Sequence, residues 1–75
     1  MLLHVETEAG HAGMTEPVAF WLGEHRHSVM EIVDRWPSMD YTYFKVAVSD
    51  QATYILRHDA GPGTWELTLY KSPGS

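Results

Sequence analysis

Tyr41-Thr-Tyr-Phe-Lys-Val-Ala-Val48, Ala52-Thr-Tyr-Ile-Leu-Arg-His58 and Thr64-Trp-Glu-Leu-Thr-Leu-Tyr70 follow one another with only short breaks. Each alternates large apolar and polar residues, the period-2 signature of a half-buried strand. The breaks, Ser49-Asp-Gln51 and Asp59-Ala-Gly-Pro-Gly63, carry the residues that turns need. The run reads as a three-stranded antiparallel meander and sets the fold class as all-β. Phe44, Val46 and Val48 share one face, opposed to Tyr43 and Lys45. Tyr54 and Leu56 alternate with Ile55 and Arg57. Trp65, Leu67 and Leu69 alternate with Glu66 and Thr68. Phe44, Val46, Tyr54, Leu56, Trp65 and Leu67 are the expected core of this run.

Upstream, Pro17 opens a first strand, where a missing N–H costs little. Val18, Phe20 and Leu22 face one way, and Ala19 and Trp21 the other. Gly23-Glu24 is a two-residue hairpin turn, with glycine supplying a positive φ. His25 to Trp36 admits two readings. As a helix over 28–36, Ser28 and Glu31 form a capping box. Val29, Ile32, Val33 and Trp36 then fall on one helical face, which would make the fold α+β. As a strand, Ile32, Asp34 and Trp36 share a face, and Val29 joins them only through a bulge near Met30-Glu31. The bulged strand is preferred, because the preceding turn is hairpin-like and β-branched residues suit a pleated surface. Pro37 ends the element by disfavouring αR at Trp36. The expected architecture is a five-stranded antiparallel meander bent into a small SH3-like or partly open barrel over residues 16–71. Closure removes edges that would otherwise aggregate.

Residues 1–15 carry Gly10, Gly13 and two alanines, with no large apolar residue other than Met14 after Val5. They read as a flexible tail, and residues 72–75 as a frayed end. Met14 precedes the ordered pattern and is the expected natural start.

Seventy-five residues make one domain. There is no cysteine, hence no disulfide and no thiolate zinc site. Three Trp, four Tyr and two Phe must supply much of the buried area. The formal charge is −5 with five Lys and Arg together, which argues against a basic stripe tracking duplex nucleic acid. No apolar run approaches a membrane span, and Met1–Val5 is too short for a signal-peptide core. The expectation is a cytoplasmic protein with no membrane partner.

His25 and His27 share a face on a strand, and His58 lies beside Asp59. Three imidazoles and a carboxylate have the chemistry to hold zinc, but the spacing of a helical metal motif is missing. The bland reading, polar residues near turns, is preferred, and no cofactor is expected. Asp34, Arg35 and Asp59 could serve as acid–base groups, but such work needs convergent groups in a water-excluding pocket, for which so small a domain has little volume, so solvated charges or a cross-strand ion pair are preferred. No Ser or Thr has a nucleophile context, and Gly61-Pro-Gly63 loses an N–H that a phosphate would need. No catalytic residue is assigned, and the chain is read as a non-enzyme. Trp21, Arg35, Tyr41, Tyr43 and Arg57 form the candidate partner-binding set, since outward aromatics with arginines characterise binding hot spots. The competing reading is a solvated cross-strand ladder.

Glu16-Pro-Val-Ala-Phe20, Gly23, Val29-Met-Glu-Ile-Val-Asp-Arg-Trp36, Tyr43-Phe-Lys-Val46, Tyr54-Ile-Leu-Arg-His-Asp59 and Trp65-Glu-Leu67 together resemble a group of short bacterial proteins of the domain-of-unknown-function kind. These share the pattern P-x-x-F…G…V-x-E-I-x-D-R-W…Y-F-x-V…Y-x-L-x-x-D…W-x-L. The resemblance spans residues 16–70. It implies a small all-β domain and carries over no activity; related domains look like accessories encoded near DNA-repair or polymerase genes in some bacteria. The functional expectation is a small interaction domain that binds a protein partner or itself. The alternative is a single-stranded nucleic-acid accessory domain, with bases stacked on Tyr and Arg.

Overall fold

The computed structural model describes residues 2–10 and 15–71. They form six strands: β1 (Leu2–Ala9), β2 (Thr15–Leu22), β3 (His25–Pro37), β4 (Tyr41–Val48), β5 (Thr53–Asp59) and β6 (Thr64–Lys71). Neighbours in sequence pair antiparallel, and β1 closes on β6, giving a closed barrel. The all-β small-barrel class is as the sequence predicts.

The strand count is one higher than expected, because the stretch assigned to a flexible tail supplies β1. An inward row needs few apolar residues in a barrel this small. Leu3 and Val5 suffice, and both pack against the core. The polar residues between and after them face outward or lie along the half of β1 that meets only β2. Met14, the expected start, lies outside the described residues, as do the frayed-end positions 72–75.

The turns follow their local chemistry. Leu22 pairs with His25 across Gly23-Glu24, and Gly23 has φ 61° while Glu24 stays at negative φ. That combination is the mark of a type II′ hairpin turn. At the β4–β5 turn Gln51 takes φ 68°, its N–H donates to the Val48 carbonyl at 2.9 Å, and Asp50 Oδ1 accepts from the Ala52 N–H at 2.9 Å. At the β5–β6 turn Gly63 takes φ 74° and its N–H donates to the Asp59 carbonyl at 2.9 Å.

The stretch 25–37 is one strand, so the helical alternative over 28–36 is excluded. It carries two bulges. Val29 pairs with Val48 and Glu31 with Ala47, leaving Met30 as an extra residue. Ile32 pairs with Val46 and Asp34 with Lys45, leaving Val33 as a second. The first bulge is at the expected place. The second corrects the expectation that Ile32, Asp34 and Trp36 share a face: Ile32 packs inward, while Asp34 and Trp36 turn outward opposite Lys45 and Tyr43. The bulge near Ser28–Met30 also marks a corner. Residues 25–28 pair with β2, and residues 29–37 with β4.

The core holds Phe20, Phe44, Val46, Val48, Ala52, Tyr54, Leu56 and Trp65, with Leu3, Val5, Leu22, Val29, Ile32 and Leu67 packed around it. Phe20 and Tyr54 meet edge to face at 5.0 Å between centroids. Phe44 lies 5.5 Å from Trp65. Leu69, assigned by simple alternation to the face of Trp65 and Leu67, is outward. Ile55 pairs with Leu69 and Leu56 with Leu67, so Thr68 is the extra residue of a further bulge that flips the face.

Candidate functional site

The bulges in β3 have a direct surface consequence. A bulge places two residues opposite one, and both side chains lean to that partner's side. Met30 and Glu31 stand against outward Ala47, and Val33 and Asp34 against outward Lys45. Trp36 follows, paired with outward Tyr43. Met30, Val33 and Trp36 are therefore displayed together along one outer flank, 68, 47 and 43% exposed. Met39, in the turn after β3, is 99% exposed. An unbulged strand repeats a face every second residue. Here the outward apolar residues recur every third.

Tyr43 continues this stripe across the sheet. The register places Trp36, Tyr43, Arg57, Glu66 and Leu2 in one outer row from β3 to β1. Of the five residues picked from the sequence, the structure brings Tyr41, Tyr43 and Arg57 together, all half-buried. Arg57 is committed within the chain. Its Nη2 donates to Glu66 Oε2, and its guanidinium carbon lies 4.6 Å above the Tyr41 ring. Its Nε is buried without a hydrogen-bond partner, so the stack and the ion pair, not a complete hydrogen-bond set, fix its pose.

Arg35 and Trp21 stand apart from that trio. Arg35 is in register with Phe44 but exposed, and its Nη2 donates to Glu16 Oε2 of β2 at 2.7 Å. Trp21 lies on the outer face of β2, where its Nε1 donates to Glu6 Oε2 at 3.1 Å. Arg26 grips the same carboxylate with two hydrogen bonds, Nε to Oε2 at 2.7 Å and Nη2 to Oε1 at 3.0 Å. These donors hold the Glu6 carboxyl at about 2, well below its ordinary 4.5. The Glu6–Trp21–Arg26 cluster is a structural tie, and sequence reasoning missed it because Glu6 had been read as tail.

A cleft of about 380 Å³ opens where β1 meets β6. Among the described residues those strands pair at Leu2–Glu66 and Leu3–Trp65, and beyond Leu3 they part. Leu3, His4, Val5, His58, Thr64 and Trp65 line it. His58 stacks on Trp65 at 4.3 Å, and both line the cleft. His27 stacks instead on Phe20 at 5.4 Å on the inner side, and His25 is exposed at the β2–β3 turn. The histidines weighed as zinc ligands are thus dispersed, and among the described residues no group of three metal-ligating side chains comes together.

Met30, Val33 and Trp36 were not singled out from the sequence. The signal that could have found them is the spacing Met30, Val33, Trp36, Met39, every third residue along a segment already suspected of bulging. No helix among the described residues is long and apolar enough to cross a membrane. No family model, curated protein or solved structure matches the chain.

Proposed function

We propose that this barrel is a small non-enzymatic interaction domain, acting in the cytoplasm, that docks a protein partner or a second copy of itself through the outer flank of β3. The observation that carries this reading is the outward stripe Met30–Val33–Trp36, three large apolar side chains set in a row by two bulges. A bulge is a device proteins retain where a side chain must be re-aimed. Tyr43 extends the apolar centre, and the Tyr41–Arg57–Glu66 group forms a polar border, the arrangement in which contact energy concentrates at aromatic anchors. Arg57 then serves as a positioned border residue and not as the anchor.

Single-stranded nucleic acid is the weaker reading. All three arginines are paired with carboxylates, Arg26 with Glu6, Arg35 with Glu16 and Arg57 with Glu66. A net charge of −5 adds no long-range attraction to phosphates.

A photo-crosslinking residue placed at Val33 in cells tests the docking reading. It is expected to give discrete covalent adducts, while the same residue at exposed Glu24 gives none. Equal, background-level labelling at both positions would refute it.

A further inference from the structure

We infer that the second half of β1 is a docking edge for an extended peptide of another protein, one that alternates basic and apolar residues. This site is separate from the β3 flank. β1 runs on to Ala9, but β6 begins at Thr64, one step past the Leu3–Trp65 pair. Val5–Ala9 therefore has β2 along one side and, among the described residues, no strand along the other. The open side presents the N–H and C=O groups of alternate residues over roughly 17 Å of strand. An extended backbone is what matches such a row, and strand addition to an open edge is a recurring way of binding peptides.

The barrel wall is open at the same place. Leu3, Val5 and Thr7 alternate onto the inner face, because the register shift between β1 and β2 adds its extra residue, Val18, to β2. Leu3 and Val5 pack against the core, whereas Thr7 is exposed. The cleft of about 380 Å³ lies here, and Val5, Thr7, His58 and Trp65 are among its lining. A segment laid along β1 in line with β6 would put its inward side chains into this cleft, where apolar ones would cover Val5 and Trp65.

Charge selects the other face of the segment. Glu6 and Glu8 alternate onto the outer face of β1. Glu6 is held by Arg26. Glu8 is exposed, stands in register with Glu16, and belongs to no ion pair among the described residues. A residue set opposite Glu8 on the open side meets an uncompensated carboxylate, which favours lysine or arginine there. The same acids disfavour a second copy as occupant. Antiparallel overlap of two Val5–Ala9 edges would set each Glu6 against the other copy's Glu8. The net charge of −5 adds long-range attraction for a basic segment.

Amide NMR on the full chain tests the inference, with a short synthetic peptide of alternating lysine and valine as probe. In the free chain, alternate amides of Val5–Ala9 are expected to exchange rapidly with solvent. The peptide is expected to slow them and to shift Val5–Ala9, His58, Thr64 and Trp65. A peptide N-methylated at alternate residues, on the bonding edge, is expected to bind at least tenfold more weakly. Glu8→Lys, at an exposed position, is expected to fold, to weaken the lysine peptide about 2–5-fold, and to favour a glutamate–valine peptide instead. Protection of all Val5–Ala9 amides before peptide is added would overturn the inference, since the edge would then be covered already. So would the absence of shifts at millimolar peptide, binding indifferent to N-methylation, or equal affinity for the lysine and glutamate peptides. Shifts confined to Met30, Val33 and Trp36 would also overturn it while favouring the β3 docking reading, which fails separately if the Val33 crosslinker gives no adduct.

Discussion

Glu6 and Arg26 meet across a strand that lies between them. Glu6 is on β1 and Arg26 on β3, and their bidentate ion pair bridges β2. The carboxyl is held at about 2 against an ordinary 4.5, first by the hydrogen bond from Arg26 and then by that from Trp21. A depressed carboxyl stabilises the fold at pH above its unfolded value and loses that contribution as pH falls toward its folded value. Glu6→Gln is therefore expected to lower the melting temperature at pH 7. The gap from wild type should shrink as pH drops from about 4.5 to about 2. Thermal melts of both proteins at several pH values check this, and a gap that is constant across that window would count against the tie.

Beneath that bridge lies Ala19. It sits in register between Glu6 of β1 and Ser28 of β3 and is fully buried, although its side chain is on the outer face with Trp21. The small methyl is what lets the longer side chains close over β2. Ala19→Leu is expected to force them apart and destabilise by about 1–3 kcal/mol, the usual cost of overpacking. Urea unfolding measures it. A neutral result would mean that the space above β2 is open.

β1 is the strand that makes the barrel a barrel. It pairs with β2 along six positions and with β6 at two. A chain beginning at Met14 would lose it, with the core contacts of Leu3 and Val5 and the Glu6 tie. Burial of two such side chains is worth roughly 2–4 kcal/mol, a large part of the stability of a domain this small. It would also leave facing edges on β2 and β6. The shortened chain is expected to lose dispersed amide signals in NMR or to aggregate. A well-folded product would show that β2 to β6 suffice.

Most of the meander was legible because 41–47 and 53–59 pair without interruption, and there alternation alone decides which side chain is inward. The reading failed wherever a bulge adds a residue, since one extra residue exchanges the faces beyond it. Asp34 and Trp36 were assigned to the face of Ile32, and Leu69 to that of Leu67, for this reason. The helical look of Val29, Ile32, Val33 and Trp36 has the same origin: two insertions in a strand of period 2 mimic a spacing of three and four. β1 was missed on different grounds. Its polar composition is that of a strand that contributes two side chains to the core, and composition alone cannot separate such a strand from a tail. Of the candidate site, the Tyr41–Tyr43–Arg57 group was legible because it lies in the unbulged part of the sheet. The β3 stripe was not, because it exists only once the bulges are counted.

The β6 bulge gives the sharpest test of this account, because it separates two leucines that simple alternation treats alike. Leu67 packs against the core and Leu69, two residues on, is 54% exposed. Leu56, fully buried, pairs with Leu67 and not with Leu69. Leu56→Ala would leave a cavity among Phe44, Val46 and Trp65 and is expected to cost about 2–5 kcal/mol. Leu69→Ala removes a side chain already largely in water and is expected to fall within about 0.5 kcal/mol of wild type. Leu67→Ala should lie between them, since its burial is partial. Denaturant unfolding of the three variants in dilute solution, where any self-association is negligible, orders them. If Leu69→Ala cost as much as Leu67→Ala, the strand would be unbulged and its outer row, with the face it shares with Ile55, would have to be redrawn.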